Sequence, residues 1–353
     1  MIPATCPAPG GPAASAPPPP LVSFGHVSVK LPGVIAPAPA PGHIPPMSPF
    51  WLTAAALLLL PDTPPRAADD LVRYVVTAPA ESLRVTVVGP ASGPPLVVIP
   101  GLVSPAFAYR RVLPPLAAAG VRVIVIEPLG VGASARPGGK SDYSIAAQAA
   151  RTGAVLDTLR IANAVVAGHA VGATIALRLA VLRPDLTSRL VLLEVGSLTS
   201  AAVPGVKQAI RFSFLIRLFA GRGRVRKELR KGLIANSVDS SWVTDSVIEG
   251  YTAGAAGDLG GVLRALKRMD QSVEPDSRVP RLADVRVPVR LIVGGGTRLG
   301  GGRSAGRGRI RQLREGMPQL LVDTIPGAGL HIQEEQPEAL VRALLHEVQE
   351  PRP

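Results

Sequence analysis

The chain has 353 residues, 47% hydrophobic and 18% charged, so it can bury a sizeable core and is not a wholly disordered polypeptide. Its net charge of +13 raises nucleic acid and anionic membrane as partners, but Lys207–Lys231 and Arg298–Arg314 together carry +14 and the remainder −1, and 3% aromatics are too few for single-strand stacking platforms. The single cysteine, Cys6, excludes an internal disulfide and a zinc site built on cysteine pairs.

Residues 1–46 hold 14 prolines, too dense a supply of missing amide donors for helix or sheet. They read as a disordered tail, or as an untranslated extension ahead of a start at Met47. Phe50–Leu60 is an 11-residue apolar run followed by Pro61 and the small-residue stretch Arg66-Ala67-Ala68-Asp69. That layout makes 47–68 a signal-peptide-like segment, so export to the periplasm or beyond is expected. No positive residues stand just ahead of the run, which leaves open an apolar anchor or packing segment in a cytoplasmic protein.

From about residue 70 strands and helices alternate. Leu71–Val76 and Leu83–Val88 read as an opening antiparallel pair. Pro95–Ile99, Val121–Ile126, Ala164–Ala167, Leu190–Leu193 and Val289–Val293 are continuous apolar runs, suited to parallel strands covered on both faces. Helical patterns fall at Tyr109–Ala119, Ile145–Leu159, Val171–Leu182, Ile310–Gly316 and Pro337–Val348. The expected class is α/β, a mostly parallel sheet flanked by helices. Residues 197–281 break the rhythm with helical stretches alone and read as a helical cap inserted into a core of 69–196 and 282–353.

After the Ala164–Ala167 strand the sequence runs Gly168-His169-Ala170-Val171-Gly172 straight into a helix. This spacing is that of a nucleophile elbow, Gly-x-Ser-x-Gly, in which the backbone turns too sharply for side chains at the glycines. Pro100-Gly101-Leu102 resembles an oxyanion loop, and Glu127 to Ser134 resembles an Asp-x-x-Gly-x-Gly-x-Ser turn. Gly327-Ala328-Gly329 through Gln333-Glu334-Glu335-Gln336-Pro337 resembles a terminal histidine loop. On these motifs the chain resembles the α/β-hydrolases, of the esterase and C–C-bond hydrolase group, over about residues 70–350.

The resemblance implies a catalytic triad that this sequence departs from at each position. Ala170 fills the nucleophile slot and has no group able to attack. Thr297, in Gly294-Gly295-Gly296-Thr297, stands where the group carries its acid. His331 lies two residues before Gln333, where relatives place the histidine three before, so its service as a base depends on a one-residue shift. Glu194, at the end of a strand where some relatives put their acid, is a candidate partner for His331 or a solvated loop carboxylate. The amides of Leu102 and Val171, beside Gly101, would still form an oxyanion hole.

No metal and no cofactor are expected. Ile210–Phe219 and the basic run Arg222–Lys231 suit a cap over the pocket, a contact with an anionic membrane surface, or a solvated cationic face. The glycine- and arginine-rich Gly300–Arg309 reads as a flexible replacement for the acid-bearing loop. The expectation is a non-catalytic or strongly impaired hydrolase homologue binding a small apolar carbonyl or ester-type ligand under the cap. The alternative is an active hydrolase in which His331 and Glu194 activate water.

Overall fold

The computed structural model describes residues 71–139, 141–196, 222–254, 257–272, 282–296 and 303–351, all within a compact unit spanning Thr63–Pro353. The expected tail, signal-like segment, apolar stretch Ile210–Phe219 and Thr297 lie outside these residues.

Strands β1 (Leu71–Ala78) and β2 (Glu81–Val88) form an antiparallel hairpin, and β2 pairs antiparallel with β4 (Arg122–Ile126). The rest of the sheet is parallel: β3 (Pro95–Ile99), β5 (Ala164–His169), β6 (Thr187–Leu193), β7 (Val289–Gly294) and β8 (Leu320–Ile325). The spatial order of the eight strands is 1-2-4-3-5-6-7-8. Alternate residues of β3, β4 and β5 feed two separate hydrophobic clusters, one on each face. That double burial is why these strands read as unbroken apolar runs.

Helices α1 (Leu113–Ala118) and α9 (Pro337–Gln349) cover one face; α2 (Ile145–Thr158), α3 (Val171–Leu182) and α7 (Arg303–Gly316) cover the other. Between β6 and β7 come α4 (Arg222–Ala235), α5 (Asp245–Ala253) and α6 (Leu259–Gln271), with no strand among the described residues there. Thr244 and Asp258 cap α5 and α6 by accepting from Val247 N–H and Gly261 N–H. A four-residue helix, α8 (Ile332–Glu335), precedes α9. Among the described residues no helix is long and apolar enough to cross a membrane.

Three elements differ from the sequence reading. The helix expected over Tyr109–Ala119 is a 3-10 turn, Ala106–Tyr109, followed by the short α1, whose start carries Pro114 in the first turn, where a missing N–H costs nothing. Helix α7 begins at Arg303 rather than Ile310, so part of the segment expected to be flexible is helical. Strand β8 was not anticipated. It is the outermost strand of the sheet at its end, and only Leu320 and Ile325 are buried, so its sequence lacks a continuous apolar run.

Candidate active site

The C-terminal ends of β5, β6 and β7 and the loops that follow them build the site. At the end of β5 the chain turns into α3 through Ala170, whose φ of 50° and ψ of −113° are strained for any residue with a side chain. The turn is closed by Ala170 N–H donating to Leu193 O (2.9 Å), and by Ala173 N–H and Gly196 N–H donating to Ala170 O (both 3.1 Å). A β-carbon at Gly168 would overlap the carbonyl of Gly172, and one at Gly172 would overlap that of Ile99. Both glycines are therefore required by close backbone approach. Nothing about that requirement depends on what residue 170 carries.

The loop after β3 lies against this turn. A β-carbon at Gly101 would sit 3.1 Å from His169 Nδ1 and 3.4 Å from Ala170 Cβ. Val171 opens α3, where its N–H has no intrahelical acceptor, and Leu102 is half-buried against the core beside it. The backbone of the Gly101 loop and the start of α3 thus lie together around the methyl group of Ala170.

His169 and His331 face each other at 6.4 Å between ring centroids, and each is only 1% exposed. His169 Nε2–H donates to Leu330 O at 2.9 Å, which fixes its tautomer and leaves Nδ1 as a bare acceptor with no partner. Burial pushes the pKa of His169 down to about 4. Burial, and then the neighbouring His169, push His331 down to about 3. Trp242 packs edge-on against the His331 ring at 5.5 Å.

Glu194 is buried at the end of β6 with φ 46°, and its Oε1 accepts from Gly294 N–H at the end of β7. Glu194 and His331 share no hydrogen bond, and no carboxylate is among the groups that shift His331. Thr297 lies outside the described residues, but the chain leading to it is tied down: Gly295 N–H donates to Ile325 O and Gly296 N–H to Ala328 O. The structure thus brings Gly101 beside His169 and Ala170, sets His331 against His169, and bonds Glu194 to Gly294. Among the described residues no cluster of His, Cys, Asp or Glu could hold a metal ion.

A polar cluster beside His331 was not foreseen in the sequence. Glu334, 1% exposed, accepts from Arg110 and from Tyr251 Oη at 2.9 Å, and Arg110 stacks 4.5 Å above the Phe107 ring. Burial raises the Glu334 carboxyl above its usual range, against the lowering pull of Arg110. Next to it, Glu335 accepts from Gly329 N–H and from the amides of Val238 and Asp239, while Leu330 N–H donates to Asn236 O. These bonds hang the His331 loop from the connection between α4 and α5. Contacts spanning about a hundred residues leave no local spacing to read.

The strand order, with the strained turn after β5, decides the architecture. The chain has the α/β-hydrolase fold. The family pattern for the alpha/beta hydrolase fold matches residues 94–215, from β3 past the turn at Ala170. The crystal structure of Cfl2 from Burkholderia cenocepacia superposes with a TM-score of 0.64 at 24% identity, covering 79% of this chain and 95% of that one. An uncharacterized hydrolase of Bacillus subtilis, YugF, is 24% identical over 246 residues, 69% of this chain and 86% of its own. A haloalkane dehalogenase of Mycobacterium marinum is 36% identical over 103 residues, 29% of this chain; the match spans only 35% of that enzyme. Within this α/β-hydrolase fold, the Glu127–Ser134 turn is also explained. Glu127 accepts from the amides of Ala106 (2.8 Å) and Ala133 (2.7 Å), and Ser134 Oγ donates to Glu127 O, binding the turn to the segment after the Gly101 loop.

Proposed function

We propose that this chain is a non-catalytic or strongly impaired hydrolase homologue that binds a small apolar carbonyl or ester-type ligand above the β5–α3 turn, with 197–281 as its cap. The observation that carries the reading is Ala170 at the strained turn. A methyl group there can neither attack a carbonyl nor be activated by a base. The second support is the state of His331, a buried neutral ring that no carboxylate among the described residues orients or would stabilise as an imidazolium. A base of so low a pKa withdraws a proton from water poorly at neutral pH. What persists is a polarising backbone frame around an apolar floor, suited to holding a carbonyl oxygen without cleaving its ester.

The test is turnover of an ester panel, short and medium acyl chains, by the chain and by His331→Ala, together with binding of a non-hydrolysable ketone analogue. The expected result is no turnover above buffer in either protein and saturable binding of the ketone. Turnover lost in His331→Ala would instead establish the water-activating reading, with Glu194 examined next. The relatives' names, a haloalkane dehalogenase among them, give hydrolysis as the chemistry this frame departs from. The expected export through 47–68 and membrane contact through Arg222–Lys231 are further proposals, tested by secretion of a reporter fusion and by vesicle flotation at low and high salt.

A further inference from the structure

A second concavity lies away from the turn at Ala170. It is a groove of about 1340 Å³ between α1 and β2, reaching up to the Glu127–Ser134 turn and the end of α5, and none of its lining residues belongs to the β5–α3 turn or the His331 loop. Its lower floor is apolar, with Val88, Leu113 and Ala117 among the walls. From Arg84 to Val88 the strand side runs about 13 Å, at 3.3 Å per residue. Beyond the groove the same sheet face continues onto β1, because Thr86 is paired with Val72 and Arg84 with Tyr74. Those two β1 side chains are 47% and 57% exposed, so no described helix covers this face.

The upper end is charged. Among the described residues two guanidiniums, Arg84 and Arg110, and one carboxylate, Glu127, line it. Arg110 is committed to Glu334 and Phe107. Arg84 is not so committed: its one contact with Glu127 is long, 3.4 Å, and that carboxylate already accepts two shorter bonds from the amides of Ala106 and Ala133. The Arg84 side chain is 24% exposed, and its other N–H groups have no partner among the described residues. Thr86, the next residue along that face, has a hydroxyl buried without a partner.

We propose that this groove is a binding site for an amphiphilic carboxylate, with a medium-length acyl chain along α1 and β2 and the carboxylate on Arg84. An elongated apolar floor ending in an under-committed guanidinium matches that one chemistry at both ends. The site stands whether or not the turn at Ala170 binds a ligand.

Calorimetric titration of the chain with octanoate, nonanoate, decanoate and decanol tests it, alongside Arg84→Gln and Ala118→Trp. Ala118 is an exposed groove-lining residue of α1, so the tryptophan fills the groove from its rim, and circular dichroism checks that both variants fold. The expected result is one saturable carboxylate site whose affinity rises about fourfold per added methylene. Arg84→Gln should weaken decanoate at least tenfold and leave decanol unchanged, and Ala118→Trp should weaken both. Absence of saturable binding by the unsubstituted chain, or decanoate affinity unchanged in both variants, overturns the proposal. Association of the chain with itself in place of ligand uptake, seen as a mass that doubles with concentration, also overturns it.

Discussion

Replacing Ala170 by glycine should stabilise this protein. In helix and strand interiors the same change costs about 0.5–1 kcal/mol, because glycine has more freedom to lose on folding. Here alanine holds φ at 50° and ψ at −113°, where the β-carbon strains the backbone by about 1–3 kcal/mol. Glycine adopts that conformation freely. The methyl group is half-buried, so deleting it forfeits well under about 0.8 kcal/mol of transfer free energy. The balance is a gain of about 1 kcal/mol, which raises the melting temperature by about 2–4 °C for a domain of this size. Thermal unfolding followed by circular dichroism, with a urea titration in parallel, measures it. A melting temperature that stays the same or falls in Ala170→Gly refutes the reasoning, since the strain would then not reside at this residue.

The neighbouring glycines should respond in the opposite sense. Gly172→Ala forces a β-carbon into the Ile99 carbonyl and should cost more than about 3 kcal/mol, read as lost soluble yield or a sharply lower urea midpoint. Acid should weaken the fold through its two buried histidines. The unfolded histidines titrate near 6.5, whereas folded His169 and His331 do so at about 4 and about 3, so their contribution is complete above pH 6.5 and lost as pH falls. The loss runs at about 1.4 kcal/mol per pH unit per histidine until the folded values are reached. Urea midpoints between pH 7 and 4.5 should show that slope, and His331→Gln should reduce it by about half. Glu335→Ala frees three N–H donors, and should cost about 2 kcal/mol while raising hydrogen exchange together at 238–239 and 329.

Much of the sheet was legible because β3, β4, β5 and β7 are buried on both faces and so write unbroken apolar runs into the sequence. The turn at Ala170 was legible for a different reason: glycines at 168 and 172 are a steric necessity with a fixed spacing. Strand β8 was not, since burial of Leu320 and Ile325 alone leaves a pattern too sparse to separate from a loop. The extended start of α7 escaped because glycines among arginines read as a breaker, although the segment Arg303–Gly316 is helical. Trp242, Tyr251, Arg110 and Glu334 meet only through the tertiary fold, and Glu194 offered a plausible partner for His331 by position while bonding Gly294 instead.

The turn after β5 also separates two things that are usually lost together. Its shape is imposed from outside residue 170, by two glycines that admit no side chain and by hydrogen bonds that use only main-chain atoms. The shape of the turn is therefore set without residue 170, although any β-carbon there carries the same backbone strain. A serine, cysteine or aspartate installed there would inherit a finished socket without moving the backbone. Whether such a graft acquires chemistry is decided elsewhere, at an imidazole that no carboxylate among the described residues adjoins. On the proposed reading, giving this scaffold a nucleophile is a problem of proton handling rather than of folding.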